Sequence, residues 1–191
     1  DKAGVAIIMA ALRHLLAHPE LPRPNLRIVF NPDEEIGRGV HALDLNALGA
    51  DFGFTLDGAL PGAIDFETFN ADAATLQVTG VASHPGWAKD VMVNALRIAE
   101  RFLATLPMER SPERTDGRQG FIHPVELTGS AEQATVRFIL RDFELEGLAS
   151  HRALLQDLAA RLAAEEPRAR ISVTFREQYR NMRYGLEKDP R

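Results

Sequence analysis

The chain has 191 residues, 45% of them hydrophobic and 26% charged, with a formal net charge of -5, which is the balance of an ordinary soluble globular protein with room for one large domain or two small ones. The negative charge and the lack of a Lys/Arg cluster argue for no nucleic-acid partner, and no apolar run is long enough to span a membrane. The absence of cysteine excludes disulfides and thiolate metal sites, so any metal is held by His, Asp or Glu, and it suits a cytoplasmic protein.

Asp1-Lys2-Ala3-Gly4 runs straight into a helical pattern, as in an internal piece of a longer protein. Val5, Ile8, Met9, Leu12, Leu15 and Leu16 recur at helical spacing, which predicts a helix over residues 5–16, stopped by Pro19, Pro22 and Pro24. Leu26 to Phe30 reads as a short buried strand, followed at once by Asp33-Glu34-Glu35. Val40 to Leu48 reads as a short helix and Phe52 to Leu56 as a second buried strand, closed by Asp57-Gly58. A helix between short apolar strands predicts a parallel α/β layer. Functional side chains gather at the carboxyl ends of such strands, where Glu34, Glu35 and Asp57 fall.

From about Asp72 the pattern changes. Ala73 to Val81 alternates like a half-exposed strand, and Ser83-His84-Pro85-Gly86 punctuates its end. A helix is expected from Ala88 to Leu106, strands at Phe121 to Leu127 and Thr135 to Phe143, a helix from Leu148 to Glu165 and a last strand from Arg170 to Phe175. The order β-α-β-β-α-β is the ferredoxin-like arrangement. The fold class expected is therefore α/β, with part of a parallel-sheet domain over residues 1–68, a ferredoxin-like domain over 69–180, and 181–191 starting the return to the first domain.

The acid run has a bland reading as a helix N-terminus, with Asp33 as the cap. Its alternative is a divalent metal site with an acid/base beside it. His14 and His18 are four apart on the first helix with Leu15-Leu16-Ala17 between them, so the Glu of a zincin motif is missing and a solvated face is expected. His41 reads as structural and His151, opening a helix, as surface, while His123 lies in a strand and fits core or site. His84 differs, because Pro85 and Gly86 fix its turn and expose the ring. Arg141 reads as a surface pair with Asp142 or as a fork for a substrate carboxylate. Asn94, inside the expected helix, either caps locally or reaches for a ligand.

Taken together, Asp1-Lys2-Ala3-Gly4, Pro32-Asp33-Glu34-Glu35-Ile36-Gly37, Thr55-Leu56-Asp57-Gly58, Phe69-Asn70-Ala71, His84-Pro85-Gly86 with Ala88-Lys89, Val91-Met92-Val93-Asn94-Ala95-Leu96, Arg141-Asp142-Phe143 and Tyr179-Arg180-Asn181-Met182-Arg183 resemble, in order and over essentially the whole chain, the M20 family of di-zinc metallopeptidases, specifically its peptidase T type of tripeptide aminopeptidase. The resemblance implies a catalytic α/β domain with two zinc ions and an inserted ferredoxin-like lid that can form a homodimer. By position it implies Glu34 as general base on a metal-bridging water, Glu35 and Asp57 as metal ligands, His84 as a donor to the oxyanion, often in a partner subunit's site, and Asn94 and Arg141 as contacts to a short peptide substrate.

The sequence also departs from that family. The bridging Asp and two zinc histidines have no counterpart in it, so the chain is expected to be incomplete as a metal site and inactive alone. Ala59 replaces a common Gly, and Trp87 stands where a small polar residue is usual, with an expected effect on the pocket mouth or substrate preference. The alternatives are another M20-type hydrolase, such as a dipeptidase, deacylase or carboxypeptidase, and a non-catalytic dimerisation module.

Overall fold

The computed structural model describes residues 2–36, 38–40, 42–58 and 60–189. The readings placed on Asp1, Gly37, His41 and Ala59, and the last two positions of the expected return segment, lie outside the described residues. The chain divides into two compact units, Asp1–Ile64 and Asp65–Arg191.

In the first unit, α1 (Lys2–Ala17) forms where the apolar spacing predicts it. Gly4 on this helix lies against the Leu56 carbonyl so closely that a Cβ would overlap it. The two expected strands do not form. Residues 26–30 and 52–56 are assigned to no strand among the described residues, since a strand exists only as part of a ladder. Phe52 and Phe54 nevertheless stack edge-on at 5.8 Å, the neighbourhood of i and i+2 on an extended chain. The expected helix over 40–48 shrinks to α2 (Leu45–Leu48), where Asp44 caps it by accepting the Asn46 and Ala47 N–H groups and Gly49 ends it at φ 59°. No described residue of this unit is buried.

The second unit is built on a four-stranded sheet of order β2-β3-β1-β4, every pairing antiparallel. Its elements are β1 (Asn70–Thr79), α3 (Ala95–Thr105), β2 (Phe121–Gly129), β3 (Gln133–Asp142), α4 (Leu145–Glu165), β4 (Arg170–Tyr179) and the short α5 (Arg183–Leu186). This is the ferredoxin-like order. Alternation places Leu76, Val78, Val136, Phe138 and Leu140 under the helices, where they meet Phe102 of α3 and Leu155 of α4. Pro124 is tolerated because β2 is an edge strand, and the register slips beside it. The opposite face of the sheet presents Thr75, Arg137, Ile139, Arg141, Thr174 and Arg176, with no helix of this unit over it among the described residues.

The division at Ile64/Asp65 falls just before residues that already bond to the second unit. Thr68 N–H donates to Asn181 Oδ1 at 3.0 Å, and Glu67 pairs with Arg118. Residues 181–189 also pack with this unit. Asn181 is buried, and its N–H donates to Asn70 Oδ1 at 3.0 Å. Asn70, fully buried, donates in turn to the Phe143 carbonyl at 3.0 Å and to the Tyr184 hydroxyl at 3.2 Å. These bonds tie the entry and exit of the second unit together.

Candidate functional site

Between β1 and α3 the chain makes an excursion from Gly80 to Asn94 that is closed at its base. Val81 and Val93 exchange two backbone hydrogen bonds of 2.9 Å, and Ala95 N–H donates to the Ala131 carbonyl at 2.9 Å. A Cβ at Gly80 would overlap the Val93 carbonyl, so glycine permits this closure. Within the excursion Pro85–Trp87 form one 3-10 turn with His84 as N-cap. His84 Nδ1 accepts the Gly86 N–H at 3.1 Å. A neutral His84 therefore carries its proton on Nε2, and the exposed ring offers an N–H donor, the group that an oxyanion requires. Trp87 stands beside it, 79% exposed.

Asn94 is not inside a helix as expected, but is its N-cap: α3 starts at Ala95, and Asn94 Oδ1 accepts the Leu96 N–H at 2.9 Å. The expected start at Ala88 fails because Asp90 turns left-handed at φ 60° and Val93 is drawn into pairing with Val81. Capping occupies the oxygen and leaves Nδ2 free of that bond, and Asn94 lines a depression of about 500 Å³ with Lys89, Met92, Arg97 and Glu166.

Arg141 does not pair with Asp142. That carboxylate accepts the Glu144 N–H at 2.9 Å and lies 3.3 Å from His151 Nε2. Arg141 Nη1 donates instead to the Leu140 carbonyl at 2.9 Å and to Gln178 Oε1 at 3.0 Å, and the guanidinium lies over the Tyr179 ring at 5.3 Å. No described carboxylate forms an ion pair with it. His151 is also corrected: it is inside α4, 4% exposed. Its Nδ1 lies 3.4 Å from Arg110 Nη1. Burial pushes its pKa below the ordinary value, against the opposing pull of Asp142. His14 and His18 are exposed, with rings 4.5 Å apart.

His84 and Asn94 lie at one end of the sheet and Arg141 at the other. Arg141 faces Ala71 at the start of β1, and the excursion begins after Thr79 at its end. Strand rise puts roughly 25–30 Å between them, whereas an extended tripeptide is about 10 Å long.

In the first unit, Glu34 and Glu35 form one 3-10 turn, Glu34–Ile36. Asp33 sits at φ 64°, outside the extended range of an N-cap, so the expected capping role is not taken up. Asp57 is exposed and lies outside any helix or strand. Exposed carboxylates suit a divalent cation in chemistry. Among the described residues, however, no group of three or more His, Asp or Glu forms a metal site, so the residues present do not by themselves fit a di-zinc centre.

Comparison with known proteins gives the wider frame. The model of the M20 peptidase dimerisation domain matches residues 66–170. The chain belongs to the M20 peptidase family. Within it, the chain is 46% identical to a peptidase T of Aeromonas hydrophila over 187 residues, 98% of this chain and 46% of the relative, and 42% identical to that of Staphylococcus carnosus over 190 residues. It thus spans about half the length of the curated M20 relatives it matches. In fold it is similar to aminopeptidase PepT of Bacillus cereus, with TM-score 0.77, 22% identity, and coverage of 95% of this chain and 49% of that one. A tripeptidase of Staphylococcus aureus is similar too, with TM-score 0.79, 20% identity, and coverage of 95% and 48%. The sequence gives Gln178 and Tyr179 no role at the site, because the segment after Phe175 has no periodic pattern and their target lies two strands away.

Proposed function

We propose that the chain is part of a metal-dependent aminopeptidase that removes the N-terminal residue from short peptides, tripeptides foremost. The observation that carries this reading is the 46% identity to a peptidase T across 98% of the chain. In this reading Glu34 is the general base that takes the proton of the attacking water. Glu35 and Asp57 are this chain's share of the ligands to two zinc ions, and the rest of the parent polypeptide supplies the others. His84 donates through Nε2–H to the developing oxyanion. Asn94 Nδ2 and the Arg141 guanidinium hold the peptide, the latter through its terminal carboxylate. Residues 1–64 are part of the catalytic domain and 65–191 the lid, through which a cytoplasmic homodimer forms. The separation of His84 and Asn94 from Arg141 supports two chains contributing to each site. The 191-residue chain alone is inactive in this reading.

The test is the full-length parent, loaded with zinc, against tripeptides, dipeptides and N-acylated amino acids. The expected result is release of the N-terminal residue, with the highest kcat/KM on tripeptides. A preference for dipeptides or acylated amino acids would reassign the parent to another M20-type hydrolysis. Dimerisation without turnover would leave a non-catalytic module.

A further inference from the structure

Arg141 is held by neutral groups, and one of them reaches it by an irregularity of the sheet. β4 pairs with β1 in regular register from Arg170, opposite Thr79, to Glu177, opposite Asp72. The register then slips, so that Ala71 faces Tyr179 and Gln178 is the extra residue of a β-bulge. A bulge re-aims a side chain that the ladder would otherwise fix. On the other side of β1, Ala71 faces Arg141. Arg141, Ala71 and Tyr179 therefore form a row on one face across three strands. The middle residue offers only a methyl group, so the guanidinium passes over it to the Tyr179 ring and to Gln178 Oε1.

The atoms used in this anchoring are as informative as the residues. The hydrogen bonds to Leu140, Gln178 and, at 3.5 Å, Asp72 all come from Nη1. Nε and Nη2 have no hydrogen-bond partner among the described residues, and that edge of a guanidinium takes a carboxylate in bidentate fashion. The amide oxygen of Gln178 orients the group without neutralising it, as a carboxylate at that position would.

We infer that Gln178 is a positioning residue that holds Arg141 with its Nε/Nη2 edge open to the terminal carboxylate of a peptide substrate, with Tyr179 supporting the guanidinium plane. This rests on the proposed role of Arg141.

The test uses the full-length, zinc-loaded parent and a tripeptide assayed both as free acid and as C-terminal amide. For the wild type, the acid has the lower KM. Gln178→Met removes the anchor and raises the KM of the acid by about tenfold, the value of one charge-assisted hydrogen bond, while kcat and the amide's KM stay put. Gln178→Glu occupies Arg141 with a carboxylate and raises the acid's KM further, again sparing the amide. Unchanged turnover of the amide doubles as the check that each variant is folded. Arg141→Leu abolishes the acid/amide difference. If Arg141→Leu leaves that difference intact, the proposed role of Arg141 fails. If Arg141→Leu removes it but both Gln178 variants keep the wild-type KM for the acid, or lose acid and amide equally, the positioning role of Gln178 is overturned.

Discussion

Asn94 Oδ1 accepts the Leu96 N–H, so half of the amide caps α3 and only Nδ2 is left to donate to a ligand. Substitution separates the two roles. Asn94→Ala removes both, and the chain is expected to lose about 1 kcal/mol of stability, the value of an N-cap. Asn94→Ser restores a capping oxygen but no amide donor. Urea unfolding of the serine variant is expected to match the wild type within a few tenths of a kcal/mol, while the parent's KM for tripeptides rises as far as it does for alanine. A serine variant with wild-type KM would reduce Asn94 to a cap. Other residues here answer only to structure. Asp72, fully buried, lies 2.9 Å from Arg180 Nη1 and 3.3 Å from Arg152 Nη1, so its charge is matched from both sides, as burial of a carboxylate requires.

At the level of elements, α4 is fastened to the end of β3 through His151. Asp142 approaches Nε2, Arg110 approaches Nδ1 from the loop after α3, and burial favours the neutral ring. A proton on Nδ1 would face the Arg110 guanidinium. The folded-state pKa is lowered, so the unfolded chain binds more protons below the ordinary histidine value of 6.5. The stability this side chain contributes is present above that value and is lost as pH falls through it towards the lowered one. Urea midpoints at pH 7.5 and 5.5 are expected to fall further for the wild type than for His151→Gln, and equal falls would refute the assignment. None of this was legible in the sequence, where His151 reads as a surface residue near a helix start, because its burial depends on partners in other elements. What was legible is local. Alternation over residues 73–81 and 135–143, helical spacing over 148–165 and the Pro-Gly punctuation after His84 led to the ferredoxin-like order. The start of α3 was misread because pairing between Val81 and Val93 overrides helical periodicity. The strands at 26–30 and 52–56 were misread because apolar composition does not supply a ladder partner. The bulge at Gln178 leaves no mark in a polar segment such as Arg176-Glu177-Gln178.

For the molecule as a whole, the sheet itself sets the constraint. β1 is ten residues long, and the proposed oxyanion donor and carboxylate anchor lie at its two ends, roughly 25–30 Å apart by strand rise. One short peptide spans only about 10 Å, so one lid cannot apply both ends to the same substrate. A dimer can, if each site takes Arg141 from its own chain and His84 from the partner subunit, or the reverse. This arrangement makes complementation the expected outcome. His84→Ala and Arg141→Ala homodimers of the parent each turn over tripeptide poorly at concentrations far below KM, having lost the same group from both sites. Co-expression gives heterodimers in which one site has lost both groups and the other has lost neither. With random pairing, half the dimers are mixed and about a quarter of wild-type sites are restored, as the symmetry of a two-fold interface requires. The measurement is tripeptide turnover by the co-expressed mixture against that of the two variants mixed after separate purification, where exchange is slow. Activity no higher than the sum of the separate variants would mean that His84 and Arg141 do not serve one site across two chains.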